Sequence, residues 1–269
     1  MTAQPETEIP PARPAATVCL LRDEVTMEVL MVRRSRSSSV MPSAWVFPGG
    51  TVDPIDSSPL ARRLLPGAPP ELQPVMAAGV RELVEEVGIW LTADPVAAAS
   101  GALRPEGSEV YAVASMAGVT FAADRLVHFA NWVTPTMIPK RFDTHFFVAP
   151  APPGALAEPD GTEIDAAEWV APRVAIDAAT AGRWRMAPPT IHTLHGLAGG
   201  HHVEEFLVRV GGLGPVVALR PRLRPEGDTI EVVVPGDPGF DDLKDLPPDP
   251  AMMEAITRMR PAGSANDAR

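Results

Sequence analysis

Cysteine, basic charge and long apolar runs are all scarce in this sequence, and each scarcity excludes something. The only cysteine, Cys19, has no partner for an internal disulfide and no metal-ligand spacing around it, which fits a reducing compartment. Lys and Arg total 23 against 34 Asp and Glu, a net charge of −11, so affinity built on neutralising many phosphates of a nucleic acid is disfavoured. No stretch of about 18 apolar residues is available to cross a bilayer. The opening MTAQPETEIPPARP has neither the basic start nor the apolar centre of a secretory signal. The expectation is a cytoplasmic protein without nucleic-acid or membrane partners. Internal repeats are absent too.

What is present suffices for a sizeable core, since 45% of the 269 residues are hydrophobic. The 32 prolines gather between periodic segments and mark loops and ends. One domain over 13–246 is expected, with flexible tails at 1–12 and 247–269. ATVCLLR and EVLMVRR, separated by the polar DEVTM, read as an antiparallel strand pair, and SAWVFPGG as a third strand running into a glycine pair. Further strands are expected at 126–135, 144–150 and 166–172. Helices are expected at about 75–87, 108–117, 172–181 and 189–210, and Gly88 stands where a helix often ends on glycine. Two more apolar runs, GPVVALR and TIEVVVP, fall near the carboxy terminus, the second within a terminal hairpin. Strands and helices do not alternate regularly, so the predicted fold is α/β with a mixed β-sheet sandwiched between helices rather than a doubly wound parallel sheet.

The stretch that carries chemistry is RELVEEVGI, Arg81 to Ile89. Glu82, Glu85 and Glu86 fall three and four positions apart on a helix, where neighbouring side chains lie about 5–6 Å from one another. Like charges so placed cost a few tenths of a kcal/mol per pair, and acids near a helix C-terminus oppose its dipole. Either this is a solvated acidic face or a cation belongs there. The upstream VFPGG favours the cation, because a glycine pair after a strand lets backbone amides approach a ligand closely. Mg²⁺ takes oxygen ligands from a few carboxylates together with substrate phosphates.

These residues resemble the box of the Nudix hydrolases: G, five residues, E, seven residues, then R-E-U-x-E-E-x-G-U with U aliphatic. Arg81–Ile89 matches the second half at every specified position. Gly50 stands for the first glycine and Asp56 for the first Glu, but Asp56 precedes Arg81 by 25 positions where the box has 8. The interruption, about 57–76, reads as a Pro/Gly-rich surface loop, tolerable because closure cost grows only logarithmically with length. VRRSRSSSVMPSAWVFPGGTVDPIDSS and NWVTPTMIPKRFDTHFFVA are similar to the interrupted-box branch that includes a peroxisomal coenzyme A and acyl-coenzyme A diphosphatase. The chain ends NDAR, not a peroxisomal tripeptide, which leaves the cytoplasmic expectation in place.

The resemblance implies a Nudix fold with an insertion inside the box and a C-terminal extension at about 183–246. It implies Mg²⁺- or Mn²⁺-dependent hydrolysis of a diphosphate in a nucleotide derivative, with coenzyme A or acyl-coenzyme A first. ADP-ribose, a dinucleotide or an oxidised nucleotide, and a non-catalytic binding module, are the alternatives. By resemblance Glu85 and Glu86 are metal ligands, Glu82 is ligand or general base, and Arg81 orients a box carboxylate. Gly49 and Gly50 shape the loop where substrate binds, and Glu163 is read either as a further acid brought from a loop to the metals or as part of a plain solvated loop. Arg141, Asp143 and His145 alternate on one strand face. Arg141 is read either as a substrate contact or as half of an Arg–Asp structural pair, and His145 as structural. Family members are often dimers, so a homodimer is also expected.

Overall fold

The computed structural model describes residues 9–93, 104–226, 229–250, 252 and 259–261. Strands β1 (Arg13–Asp23) and β2 (Met27–Arg34) form the expected antiparallel pair, in register Leu21 with Val29. The third expected strand is two short pieces, β3 (Trp45–Val46) and β4 (Gly49–Thr51), because Pro48 interrupts the ladder. β3 extends β2, whereas β4 pairs with the first half of β1, Ala16 opposite Gly50. β5 (Val127–Val133) and β6 (Phe142–Pro150) are antiparallel, β6 runs parallel to β1, and β7 (Ile164–Val170) covers the other edge of β2. A two-residue strand, β8 (Ala218–Leu219), pairs parallel to β5 and completes an eight-stranded mixed sheet.

Both faces of this sheet are covered, and β1 shows how the sequence arranges it. Side chains alternate across a strand, so Ala16, Val18 and Leu20 enter one core while Cys19 and Leu21 enter the other. The first core is filled by α1 (Pro59–Leu64), α2 (Gln73–Val87) and α3 (Ser108–Ala117). The second is filled by α4 (Pro172–Thr180), α5 (Pro188–Leu197) and α6 (Val203–Gly211). Behind these lies a small sheet of β9 (Arg222–Glu226), β10 (Thr229–Val233) and β11 (Met259–Pro261), which contributes Leu223, Ile230 and Val232. The mixed sheet between helices is therefore as expected, with extra C-terminal strands. No described helix is long and apolar enough to cross a membrane.

Three local expectations change. The helix expected over 189–210 is two helices, broken at Gly199–Gly200, where a Cβ on Gly200 would lie 2.7 Å from Met27 Cε and Phe206 Cδ2. The interruption of the box is not a surface loop. Ser58 Oγ accepts from Ala61 N at 3.1 Å and caps α1, Pro59 sits in its first turn, and Ala61, Leu64 and Leu65 are buried in the first core. Apolar spacing in PLARRLL thus outweighs the flanking prolines. Finally, part of the stretch expected as a carboxy-terminal tail forms β11, parallel to β10 with Met259 opposite Ile230. Residues 1–8 and 262–269 of the two expected tails, and most of 251–258, lie outside the described residues.

Candidate active site

α2 carries the acidic cluster, and its capping fixes where the cluster sits. Gly88 adopts the left-handed conformation (φ 70°) and its N–H reaches the Leu83 and Val84 carbonyls. Val80, Leu83, Val84 and Val87 are fully buried beneath the sheet, which leaves Arg81, Glu82, Glu85 and Glu86 along the edge facing β4.

Arg81 is 3% exposed and uses all five of its N–H donors. Nε and Nη2 grip the two oxygens of Asp56 at 3.0 and 3.1 Å, and Nη2 also reaches the Thr51 carbonyl at 3.0 Å. Nη1 bonds Glu82 Oε1 at 2.9 Å and Glu85 Oε2 at 2.8 Å. Burial works against the guanidinium charge, but Asp56, Glu82 and Glu85 more than compensate and hold its pKa above the ordinary value. Asp56, the residue separated from the rest of the box by the insertion, is fully buried and is the anchor of this network. It also accepts from the Tyr111 hydroxyl at 2.6 Å and from Asp53 N at 2.8 Å, while its carbonyl accepts from Gln73 Nε2 at 3.0 Å. The insertion therefore leaves the box closed in space.

The three glutamates are not held alike. Both Glu85 oxygens are engaged, Oε2 by Arg81 and Oε1 by Gly107 N at 2.6 Å, at the N-terminus of α3. Glu86 is 4% exposed and accepts from Gly49 N through Oε2 at 2.9 Å. Glu82 accepts Arg81 through Oε1. Glu82 Oε2 and Glu86 Oε1 have no protein donor among the described residues. Burial raises the pKa of all three. Glu82 is pushed up to about 7, with Arg81 opposing and Glu85 and Glu163 adding to the rise. Glu85 is raised by burial against Arg81 and the Gly107 N–H. Glu86 is raised well above the ordinary range by burial and then by Glu82, against the Gly49 N–H and Arg34. Negative charge here exceeds what the protein's own cations neutralise.

Gly49 and Gly50 lie against this cluster for steric reasons. A Cβ on Gly50 would stand 2.2 Å from Glu82 Oε1, and one on Gly49 would stand 2.2 Å from the Ala16 carbonyl. Together with Glu82, Glu85, Glu86 and Glu163 they line a cavity of about 610 Å³. Glu163 enters from the loop before β7. Its N–H, like those of Thr162 and Ile164, donates to Asp160; burial alone would raise the Asp160 pKa, but the bond from the Thr162 hydroxyl and these N–H bonds outweigh it and lower it. The lining also includes the apolar side chains of Trp132, Ile138, Phe146, Pro188 and Val232, the last two from the C-terminal extension.

Arg141 stands apart. It does not line the cavity; its Nε and Nη1 donate to the Thr134 and Pro10 carbonyls at 3.1 and 2.7 Å, stapling the chain before β1 to the turn before β6. Neither reading of it, as substrate contact or as partner of Asp143, matches these bonds. His145 is bonded to His128 at 3.1 Å, and burial lowers the pKa of both rings, that of His128 to about 4. Sequence reasoning overlooked Tyr111, Gly107 and Gln73. No local pattern marks them, although Tyr111 is the only tyrosine in the chain.

Comparison with known proteins places this arrangement. The NUDIX domain pattern matches residues 11–190. A curated relative from Caenorhabditis elegans, designated nudix hydrolase 7, is 28% identical over 190 residues; the match covers 68% of this chain and 59% of that protein's length. The crystal structure of a NUDIX hydrolase from Alicyclobacillus acidocaldarius superposes with a TM-score of 0.66 at 27% identity, covering 77% of this chain and all of that one.

Proposed function

The chain belongs to the NUDIX family, and from that premise we propose that it is a hydrolase of diphosphate bonds that cleaves coenzyme A or an acyl-coenzyme A with the help of Mg²⁺ or Mn²⁺. The observation that carries this reading is the mixed lining of one cavity, which holds glycine backbone and four glutamates together with Trp132, Ile138, Phe146 and Val232. A diphosphate suits the glycines and glutamates, and a pantetheine arm with its acyl chain suits the apolar side chains.

The donor set fits a hard divalent ion in kind, since every candidate ligand is a carboxylate oxygen. Among the described residues no three such side chains already stand in ligand geometry. Glu86 Oε1 is the open position for the ion, with Glu163 beside it in the cavity lining, while Glu82 Oε2 is left to take a proton. One or two carboxylates, completed by water and substrate phosphate, is a common way to hold Mg²⁺. Glu85 would hold an ion through the lone pairs that its bonds from Gly107 and Arg81 leave free. When bound, the ion neutralises phosphate oxygens and lowers the pKa of water.

The chain's own residues supply the rest. Gly49 and Gly50 let the diphosphate approach the backbone without a Cβ in the way. Arg81 fixes the rotamers of Glu82 and Glu85. Glu82 takes the proton of the attacking water at Oε2 as the water oxygen bonds to phosphorus. The bridging P–O bond breaks, and the products are adenosine 3′,5′-bisphosphate and a phosphopantetheine.

Chromatographic product analysis tests this with coenzyme A, short- and long-chain acyl-coenzyme A, ADP-ribose, NADH and diadenosine polyphosphates, for the wild type and Glu86→Gln. Metal-dependent release of adenosine 3′,5′-bisphosphate by the wild type alone is the expected result. Cleavage of a different member keeps the chemistry and replaces the substrate.

A further inference from the structure

Four basic side chains line the cavity: Arg13, Arg34, Arg81 and Lys140. Two belong to the acidic end. Arg81 has no donor left, and Arg34 donates to Ser38 Oγ at 2.9 Å while its charge bears on Glu86. Arg13 and Lys140 have no carboxylate partner among the described residues. Arg13 Nη2 makes one long bond to Thr51 Oγ1, 3.3 Å, and the Lys140 ammonium stands 5.9 Å from the centre of the Phe142 ring. In a chain of net charge −11, two uncompensated cations facing one cavity form a local positive field of the sign that attracts an anion.

Their placement follows from the sheet. β1 and β6 are parallel, with Arg13 opposite Phe142 and Ala15 opposite Thr144. Arg13, Ala15 and Thr17 on one strand, and Phe142, Thr144 and Phe146 on the other, line the cavity together with Lys140. These strand residues therefore share one face of neighbouring strands, which lie about 4.8 Å apart, and Lys140 lines the same cavity from the turn before β6. Ala15 pairs on its other side with Thr51, next to Gly50 and the glutamates. Arg13 is two residues further along, about 7 Å at the strand repeat. The acid on this side, Asp53, lies 4.0 Å from Arg81.

We propose that Arg13 and Lys140 form a second anion subsite, for a phosphate that the substrate carries on its ribose in addition to the scissile diphosphate, with Phe142 as the flat apolar surface beside it. The subsite rests on the coenzyme A reading above and gives that reading a source of selectivity. A nucleotide with a 3′-phosphate engages both ends of the cavity, whereas one without it leaves the two cations solvated.

Titration calorimetry with AMP and with adenosine 3′,5′-bisphosphate tests this without requiring turnover. The proteins are the wild type, Arg13→Ala, Lys140→Ala and the double variant; both positions are exposed, so the fold is retained. The wild type is expected to bind the bisphosphate about tenfold more tightly than AMP, a usual size for charge-assisted phosphate contacts. The advantage is expected to fall below about twofold in the double variant, with AMP affinity unchanged. Equal affinities in the wild type, an advantage that survives in the double variant, or parallel loss of both ligands would each overturn the subsite. A bisphosphate advantage that depends on Arg13 and Lys140, in a protein that does not hydrolyse coenzyme A, would retain the subsite and remove the substrate assignment. Hydrolysis of coenzyme A without that advantage would do the reverse.

Discussion

Arg81 and Asp56 meet side by side, Nε to Oδ1 and Nη2 to Oδ2, although they stand 25 positions apart in the chain with a helix between them. Both are buried, and Asp56 has no solvent exposure. Removing the negative partner leaves a buried guanidinium uncompensated, a change that costs about 3–5 kcal/mol. Asp56→Asn is expected to lose that much in denaturant unfolding. Tyr111→Phe, which deletes one hydrogen bond to the same carboxylate, is expected to lose about 1.5–3 kcal/mol and to lower kcat more than it raises KM. A Tyr111→Phe protein as stable as the wild type would show that the hydroxyl does not support Asp56.

Glu86→Gln keeps the size of the side chain and its bond from the Gly49 N–H while removing its charge. A loss of at least about a hundredfold in kcat is expected, with an unchanged circular dichroism spectrum and weaker Mn²⁺ binding by titration. Turnover near the wild-type rate in the folded variant would remove Glu86 from the ion-holding set.

The two glycines separate stability from activity. A methyl on Gly49 meets fixed backbone, the Ala16 carbonyl and Thr17 Cα, so Gly49→Ala is expected to destabilise by about 1–3 kcal/mol. A methyl on Gly50 meets the Glu82 carboxylate, the far end of a side chain that can swing away. Gly50→Ala is expected to retain its melting temperature within a few degrees and to lose kcat, because Glu82 must leave Arg81. The reverse pattern, a stable Gly49→Ala and an unstable Gly50→Ala, would contradict the packing described.

Acidity gives a further test. Glu82 titrates at about 7 in the folded, metal-free protein against an ordinary 4.5, and Glu85 and Glu86 shift in the same direction. A carboxyl whose folded pKa is raised contributes stability below its unfolded pKa, and that contribution is lost as pH rises through the folded value. In a chelator the melting temperature is therefore expected to fall between pH 4.5 and 7. Added Mg²⁺ or Mn²⁺ should recover more at the upper end, where the carboxylates are ionised. A melting temperature that rises over this window would show that other groups dominate.

Much of this was legible in the sequence because it is local. The i, i+3 and i+4 spacing of Glu82, Glu85 and Glu86 places them on one edge of a helix, and Gly88 ends it as expected. The apolar runs of β1 and β2 mark them as strands, and alternation along each divides their side chains between the two cores. What was not legible depends on contacts between distant segments. Nothing near Tyr111 or Gly107 indicates that α3 packs beside α2 and reaches Asp56 and Glu85. The apolar content of the box interruption was outweighed in reading by its prolines. Arg141 alternates with Asp143 and His145 as a strand should, but its length lets it turn away to the Thr134 and Pro10 carbonyls.

The division of β1 between two cores has one more consequence. Ala16, Val18 and Leu20 serve one layer and Cys19 and Leu21 the other, so neither layer can melt while the strand stays in place for its neighbour. Trp90 reports on the first core, and Trp45 and Trp132 on the second. Their fluorescence should change at a single denaturant concentration, in one cooperative transition for the whole molecule rather than one for each side of the sheet.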